Sequence, residues 1–368
     1  MRKFEIANLS KSAVLAGVLS VFLLYFAITP AVFGYSKVSK EGKEEYSIVD
    51  WFPRVTGLLR YTFWFKEGLE SRQLKNEIDR LCLWIDQELY KDISGIHAHM
   101  RYQEGRLGSY PSNIWLEEGY IYAAAPPAKI KIGKIHTPFG LLWDHTYYGS
   151  LIYYKGYMYD PDYGVVIEGK NAYRDNIDLN WSAGYFLKDD ELNGATVLGQ
   201  GFEKTSKGER NTFALRANSA FRLSDNSTLS FGGSAQAGRI KSNASDRQAA
   251  LEADIVWQIG PLSACTEYVY YDQDFHNRDS SLRGYLIMAE GNLSLYKNPR
   301  SDLLRDVSLR YNFSVDRPVV GDGLGRLHLP AMSIAMNDSL KADLVYVDWQ
   351  IDDKRVDRSW RLILYFSF

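Results

Sequence analysis

The chain has 368 residues, a formal net charge of −2 and 24% charged residues, and its mean hydropathy is negative. That balance excludes a bundle of membrane-spanning helices and a strongly basic surface, so no nucleic-acid partner is expected. Aromatic residues make up 14%, which excludes a disordered chain, and two Cys exclude a disulfide scaffold.

The first segment reads as an export signal. Arg2, Lys3 and Lys11 precede an uncharged, mostly apolar run from Ala13 to Ile28, and small residues follow at Ala31 and Gly34. Basic leader, apolar stretch and small-residue cleavage site come in the order of a secretory signal. The run is shorter than the roughly 20 residues a spanning helix needs. Cleavage after Ala31 or after Gly34 satisfies the pattern, and Gly34 is adopted. Residues 1–34 are thus expected to be a signal peptide, 35–53 a polar lead-in rich in Lys, Glu and Ser, and 54–368 a single domain.

From Arg54 onward the sequence alternates with period two. Ile177, Leu179, Trp181, Ala183 and Tyr185 interleave with Asp178, Asn180, Ser182 and Gly184. Leu229–Ala235, Ala249–Trp257 and Val307–Phe313 repeat the pattern. Helical spacing does not gather such charges on one face, whereas a strand with lipid on one side and water on the other requires this alternation. Tight polar turns, such as Pro126–Pro127, Asp225–Asn226 and Gly260–Pro261, alternate with longer polar stretches, such as Asp189 to Arg210 and Pro318 to Gly325. Short connections at one end and long ones at the other predict an all-β fold, a transmembrane antiparallel β-barrel of about 16 strands. The expected starts are Arg54, Asp79, Ile93, Ile114, Ala128, Asp162, Asn176, Asn211, Ser227, Arg247, Leu262, Ser281, Leu303, Arg326, Ser339 and Val356. An even count places both ends of the barrel on the periplasmic side.

The alternation also assigns faces. Arg60, Lys66, Arg80, Arg101, Lys129, Lys131, Arg216, Arg310 and Arg361 are expected to line the lumen, as are Asp86, Glu88, Asp178, Glu252, Asp254, Glu267 and Asp343. The cations gather mostly in the first five strands. His97 and His99 share a face with Arg101, but no third ligand is identifiable, so they read as polar lining and no metal site is expected. Cys82 and Cys265 fall on strands 2 and 11, too far apart to bridge. No nucleophile elbow, Cys-x-x-Cys or phosphate-binding loop occurs, so neither an enzyme nor a cofactor is expected. The final strand puts Trp360, Leu362, Leu364, Phe366 and Phe368 on one face. It resembles the signal read by the outer-membrane insertion machinery, which implies an assembly role for Phe366 and Phe368.

Three stretches carry a further resemblance: Arg80–Tyr90 with Ile96–Tyr102, Glu118–Tyr122, and Ile130–Gly140 with its Gly133-x-x-x-x-Pro138-Phe139-Gly140. Together they resemble the phosphate-selective (O/P type) porin family, over about a third of the chain. The resemblance implies a homotrimer of 16-stranded barrels surrounded by outer-membrane lipid and lipopolysaccharide, open to small polar solutes. It also implies that the third outer loop, 138–161, folds inward and narrows the pore. That loop holds Trp143, Asp144, His145, Tyr148, Tyr154, Lys155, Tyr157 and Asp160. A single lysine against two acids departs from a phosphate filter, which needs a cluster of cations. Two functions are therefore expected to compete: a passive diffusion porin, and a sheath around a partner such as a multihaem cytochrome. An inward loop separates them, because it would obstruct an enclosed partner.

Overall fold

A computed structural model describes residues 53–66, 74–90, 93–102, 114–141, 161–173, 176–188, 209–240, 247–274, 282–301, 304–317 and 323–368. The signal segment and nearly all of the lead-in fall outside them. Arg54–Phe368 forms one compact unit. It consists of sixteen strands: β1 (Arg54–Lys66), β2 (Leu74–Tyr90), β3 (Ser94–Tyr102), β4 (Ile114–Ala125), β5 (Ala128–His136), β6 (Pro161–Tyr173), β7 (Ile177–Lys188) and β8 (Glu209–Ser224), followed by β9 (Ser227–Ile240), β10 (Arg247–Ile259), β11 (Leu262–Asp274), β12 (Leu282–Lys297), β13 (Asp306–Arg317), β14 (Gly325–Ala335), β15 (Leu340–Ile351) and β16 (Lys354–Ser367). Each strand pairs antiparallel with its sequence neighbours, and β1 pairs with β16, closing the barrel.

The sequence-derived starts lie close to these bounds, with two larger departures. β2 begins at Leu74 rather than Asp79, and β13 at Asp306 rather than Leu303. In β2 the register shifts opposite Arg60/Tyr61, so a bulge interrupts the alternation that marks a strand. The Asp352–Asp353 turn between β15 and β16 is short although it lies at the long-loop end. Both residues have positive φ (49° and 60°), the geometry that lets two residues reverse a twisted hairpin.

The outward face is a band of apolar and aromatic side chains. Ile121, Ile132, Val165, Leu215, Leu251, Leu309 and Trp360 are all exposed although each sits within a regular ladder. So many exposed large apolar residues, matched to a polar opposite face, make a surface built for an apolar medium. Cys82 and Cys265 lie on β2 and β11, and neither is in a disulfide among the described residues.

The seam between β1 and β16 ends in a close fit. The Gly57 N–H donates to the Phe368 carbonyl at 2.7 Å, and the Phe368 N–H donates back to the Gly57 carbonyl at 3.0 Å. The Phe368 ring lies over Gly57: a Cβ there would stand 2.2 Å from the ring's Cζ. Gly57→Val is expected to push the ring off the strand and weaken closure by about 1 kcal/mol, from lost apolar burial. The folded, fast-migrating band in unboiled gel samples should then convert at a lower temperature than in the parent, and Phe368→Ala should produce the same change.

Candidate functional site

The inner wall divides into sectors of different chemistry. Arg361 on β16, Arg60 on β1, Arg80 on β2 and Arg101 on β3 form a row across four adjacent strands, each no more than 6% exposed. Arg60 stands directly opposite Arg80 in the β1–β2 register. Like charges so close require support, and aromatic rings supply part of it. The Arg361 guanidinium lies 3.8 Å over Trp64 and Arg101 lies 5.4 Å over Trp115. Arg361 also donates to Asp357 at 2.5 Å and to Ser359 at 3.0 Å, and Arg101 is 3.6 Å from Glu117. The row continues through β5, where Lys129 sits over Tyr122 at 3.9 Å and Lys131 pairs with Glu168 at 2.7 Å.

Beyond β8 acids prevail. Glu252, Asp254, Glu267 and Asp343 are all buried on the inward phase. Arg216 bridges Glu252 at 3.0 Å, Asp254 at 2.7 Å and the Ser234 hydroxyl at 3.0 Å. The Asp254 carboxylate fills the space above Gly232, where a Cβ would meet it at 2.2 Å, so only glycine permits this arrangement. Asp343 receives Arg310 at 3.0 Å, Lys341 at 3.2 Å and the Tyr365 hydroxyl at 2.9 Å. Arg216→Leu would leave two buried carboxylates without their guanidinium and is expected to cost about 3–5 kcal/mol. Urea unfolding of the refolded barrel in lipid vesicles measures this. Adding Glu252→Gln and Asp254→Asn should restore most of the loss.

A third sector is apolar. Val269, Tyr271, Leu286, Met288, Leu327, Leu329, Val345, Val347 and Ile363 form a buried cluster on β11, β12, β14, β15 and β16. The sequence reading assigned no apolar residues to the inside. The signal was there: Leu286-Ile287-Met288 and Leu344-Val345-Tyr346-Val347 are apolar on both phases, the mark of a strand covered on both faces.

Phe139 belongs to that cluster, and it comes from just beyond β5. Its neighbours follow the same course. The Gly140 N–H donates to the Ser234 hydroxyl on β9 at 2.9 Å, and the Leu141 N–H donates to Glu267 on β11 at 3.0 Å. The chain leaving β5 therefore crosses the lumen and is held against the opposite wall. Pro138 has no N–H to continue the ladder, which frees the chain to turn inward there. Ser234 and Phe139 were not singled out as site residues, because alternation alone does not say what crosses the interior.

The remaining expected positions are as follows. Asp86 is exposed and lies 2.6 Å from His97 Nδ1, and Glu88 is exposed at the short-turn end of β2. His97 also stacks on Tyr120, and His99 stacks on Trp84. Asp178 is 3.6 Å from Lys170. Phe366 and Phe368 project outward. The Lys66 side chain lies outside the described residues, as do Trp143, Asp144, His145, Tyr148, Tyr154, Lys155, Tyr157 and Asp160.

No family model and no curated protein matches the chain. Solved structures do. OprB from Pseudomonas putida superposes with a TM-score of 0.62 at 8% identity, over 87% of this chain and 95% of that one. OmpF from Salmonella typhi gives 0.60 at 12% identity, over 88% and 99%. An anion-selective porin from Comamonas acidovorans gives 0.55 at 10% identity, over 86% and 99%. At these identities the likeness is one of fold: the chain has the closed antiparallel barrel architecture of the outer-membrane porins.

Proposed function

We propose that the protein is a bacterial outer-membrane porin, exported through its N-terminal signal, that lets small polar or charged solutes diffuse through a narrowed, water-filled barrel. The observation that carries this reading is the crossing of the lumen by Phe139, Gly140 and Leu141, with a basic row on one wall and acids on the other. A segment pinned across the interior reduces the open section, and opposed rows of charge set a transverse field that orders water and sorts solutes by dipole and charge. The same crossing opposes the sheath reading, since it occupies space an enclosed protein would need.

The rest of loop 138–161 is read as completing the constriction, with Asp144 and Asp160 facing Lys129, Lys131 and Arg101. The Gly133–Gly140 stretch supports kinship with the phosphate-selective porins. The acidic sector argues for a broader solute range than phosphate. A homotrimer follows from that kinship, and Phe366 and Phe368 are assigned to recognition by the insertion machinery. The test is reconstitution in planar bilayers under a KCl gradient. Discrete conductance steps with a defined reversal potential are expected, and a barrel that inserts without conducting would overturn the proposal.

A further inference from the structure

We infer that the apolar sector of the inner wall holds a binding subsite for an uncharged cyclic amide, a pyrimidinedione by class. The inference rests on the channel reading above, since the solute must reach the lumen. Asn312 is 2% exposed and Ser314 is 1% exposed, both on the inward phase of β13. Neither Nδ2 nor Oδ1 of Asn312 has a hydrogen-bond partner among the described residues, and the Ser314 hydroxyl has none either. The Trp349 Nε1 on β15 is buried and unpartnered in the same way. Buried polar groups are nearly always paired, so three such side chains within three adjacent strands point to a ligand.

The register brings them together. Ser314 partners Leu327 of β14, and Leu327 in turn partners Trp349. Asn312 partners Leu329. Leu327 and Leu329 belong to the buried cluster on which Phe139 packs, so the polar groups border an apolar floor beside the crossing segment. β13 and β15 are two strand spacings apart, about 10 Å. A six-membered ring with a hydrogen bond of about 2.9 Å at each end covers that span.

The groups present select the chemistry. A side-chain amide unpaired at both ends matches another amide, which returns one acceptor and one donor. Trp349 offers only a donor and calls for a second carbonyl. A pyrimidinedione carries an N–H and a carbonyl side by side and a second carbonyl across the ring. Its two faces are apolar and suit Leu327 and Leu329, whereas a sugar would bury unpaired hydroxyls there. Charge is disfavoured with either sign. Glu290 stands opposite Asn312 on β12, and Asp316 lies two residues beyond Ser314, so an anion is repelled. Arg310, two residues before Asn312, is held by Asp343 at 3.0 Å and repels a cation.

The experiment is equilibrium dialysis of labelled thymine against the detergent-purified barrel, with 2-pyridone, which has one carbonyl, and glucose as comparisons. Thymine is expected to bind the parent more tightly than either. Asn312→Leu should weaken thymine and 2-pyridone about tenfold or more. Trp349→Phe keeps an aromatic ring, and should weaken thymine severalfold while leaving 2-pyridone unchanged. Asn312→Leu also removes an unpaired buried amide, so its folded gel band should convert on heating at no lower a temperature than the parent's. Conversion at a lower temperature would show that the amide is paired within the barrel and would overturn the inference. So would a parent that binds no thymine, equal thymine binding by parent and Asn312→Leu, or glucose bound as tightly as thymine. Bilayer conductance of the parent is recorded separately. A barrel that binds thymine as expected yet passes no ions refutes the channel reading and upholds the subsite, and one that conducts without binding thymine refutes the subsite alone.

Discussion

Removing the chain from Leu141 to Tyr159 is expected to raise single-channel conductance by about twofold or more, with the barrel still assembling. The expectation follows from how that segment begins. Phe139 is buried in the apolar inner cluster, and the next two backbone N–H groups are tied to Ser234 and Glu267 on the far wall. The described start of the segment, Phe139 to Leu141, thus already lies across the open section of the barrel. None of the ladders between the described strands includes a residue of that stretch, so closure of β1 on β16 should survive. A smaller change tests the anchor separately. Ser234→Ala with Glu267→Ala removes both acceptors and should make the open-channel current noisier, because the start of the segment then loses two hydrogen bonds to the far wall and keeps the apolar packing of Phe139 and Leu141. Conductance unchanged by the full deletion would show that the crossing is no constriction and would return weight to the sheath.

Arg80→Glu should shift ion preference toward cations, lowering the anion-to-cation permeability ratio at least about threefold in dilute KCl. Arg80 stands opposite Arg60, one strand from Arg101, in the most concentrated positive region of the wall. The substitution changes two units of charge there and sets a carboxylate among guanidiniums, so it relieves repulsion instead of creating an unpaired buried charge. The reversal potential under a KCl gradient reads the change directly. In about 1 M salt the effect should shrink, since screening then acts over roughly 3 Å instead of 10 Å. A reversal potential indifferent to Arg80→Glu would mean that permeating ions do not pass the arginine row.

The alternation in the sequence specified the strands and their faces because a barrel wall imposes period two on every residue of every strand. β7 and β10 are clear cases: Trp181 and Trp257 fall on the outer phase, Asp178 and Glu252 on the inner. The reading weakened where the physics stopped being periodic. The bulge beside Arg60 hid the first residues of β2, and two positive-φ aspartates formed a two-residue turn where a long loop was expected. The interior was legible only in part. Charges announce which side is wet, so the arginines and acids were found. The pairing of Arg216 with both Glu252 and Asp254 depends on three-dimensional proximity across β8–β10, and no spacing in the sequence encodes it. The apolar inner sector was missed because an inside of water was assumed for all sixteen strands, although runs such as Leu286–Met288 contradict that locally.

The seam at Gly57 and Phe368 bears on how the barrel comes to exist. Fifteen of the sixteen strand pairings join consecutive strands, each a hairpin able to form as soon as its two arms are present. The β1–β16 pairing is different, because it joins the two most distant strands of the chain and carries a loop-closure entropy that the hairpins avoid. An open, curved sheet with two bare edges is thus the natural precursor, and such edges invite pairing with other chains. Closure removes both edges in one event, and the ring of Phe368 settling over Gly57 marks its completion.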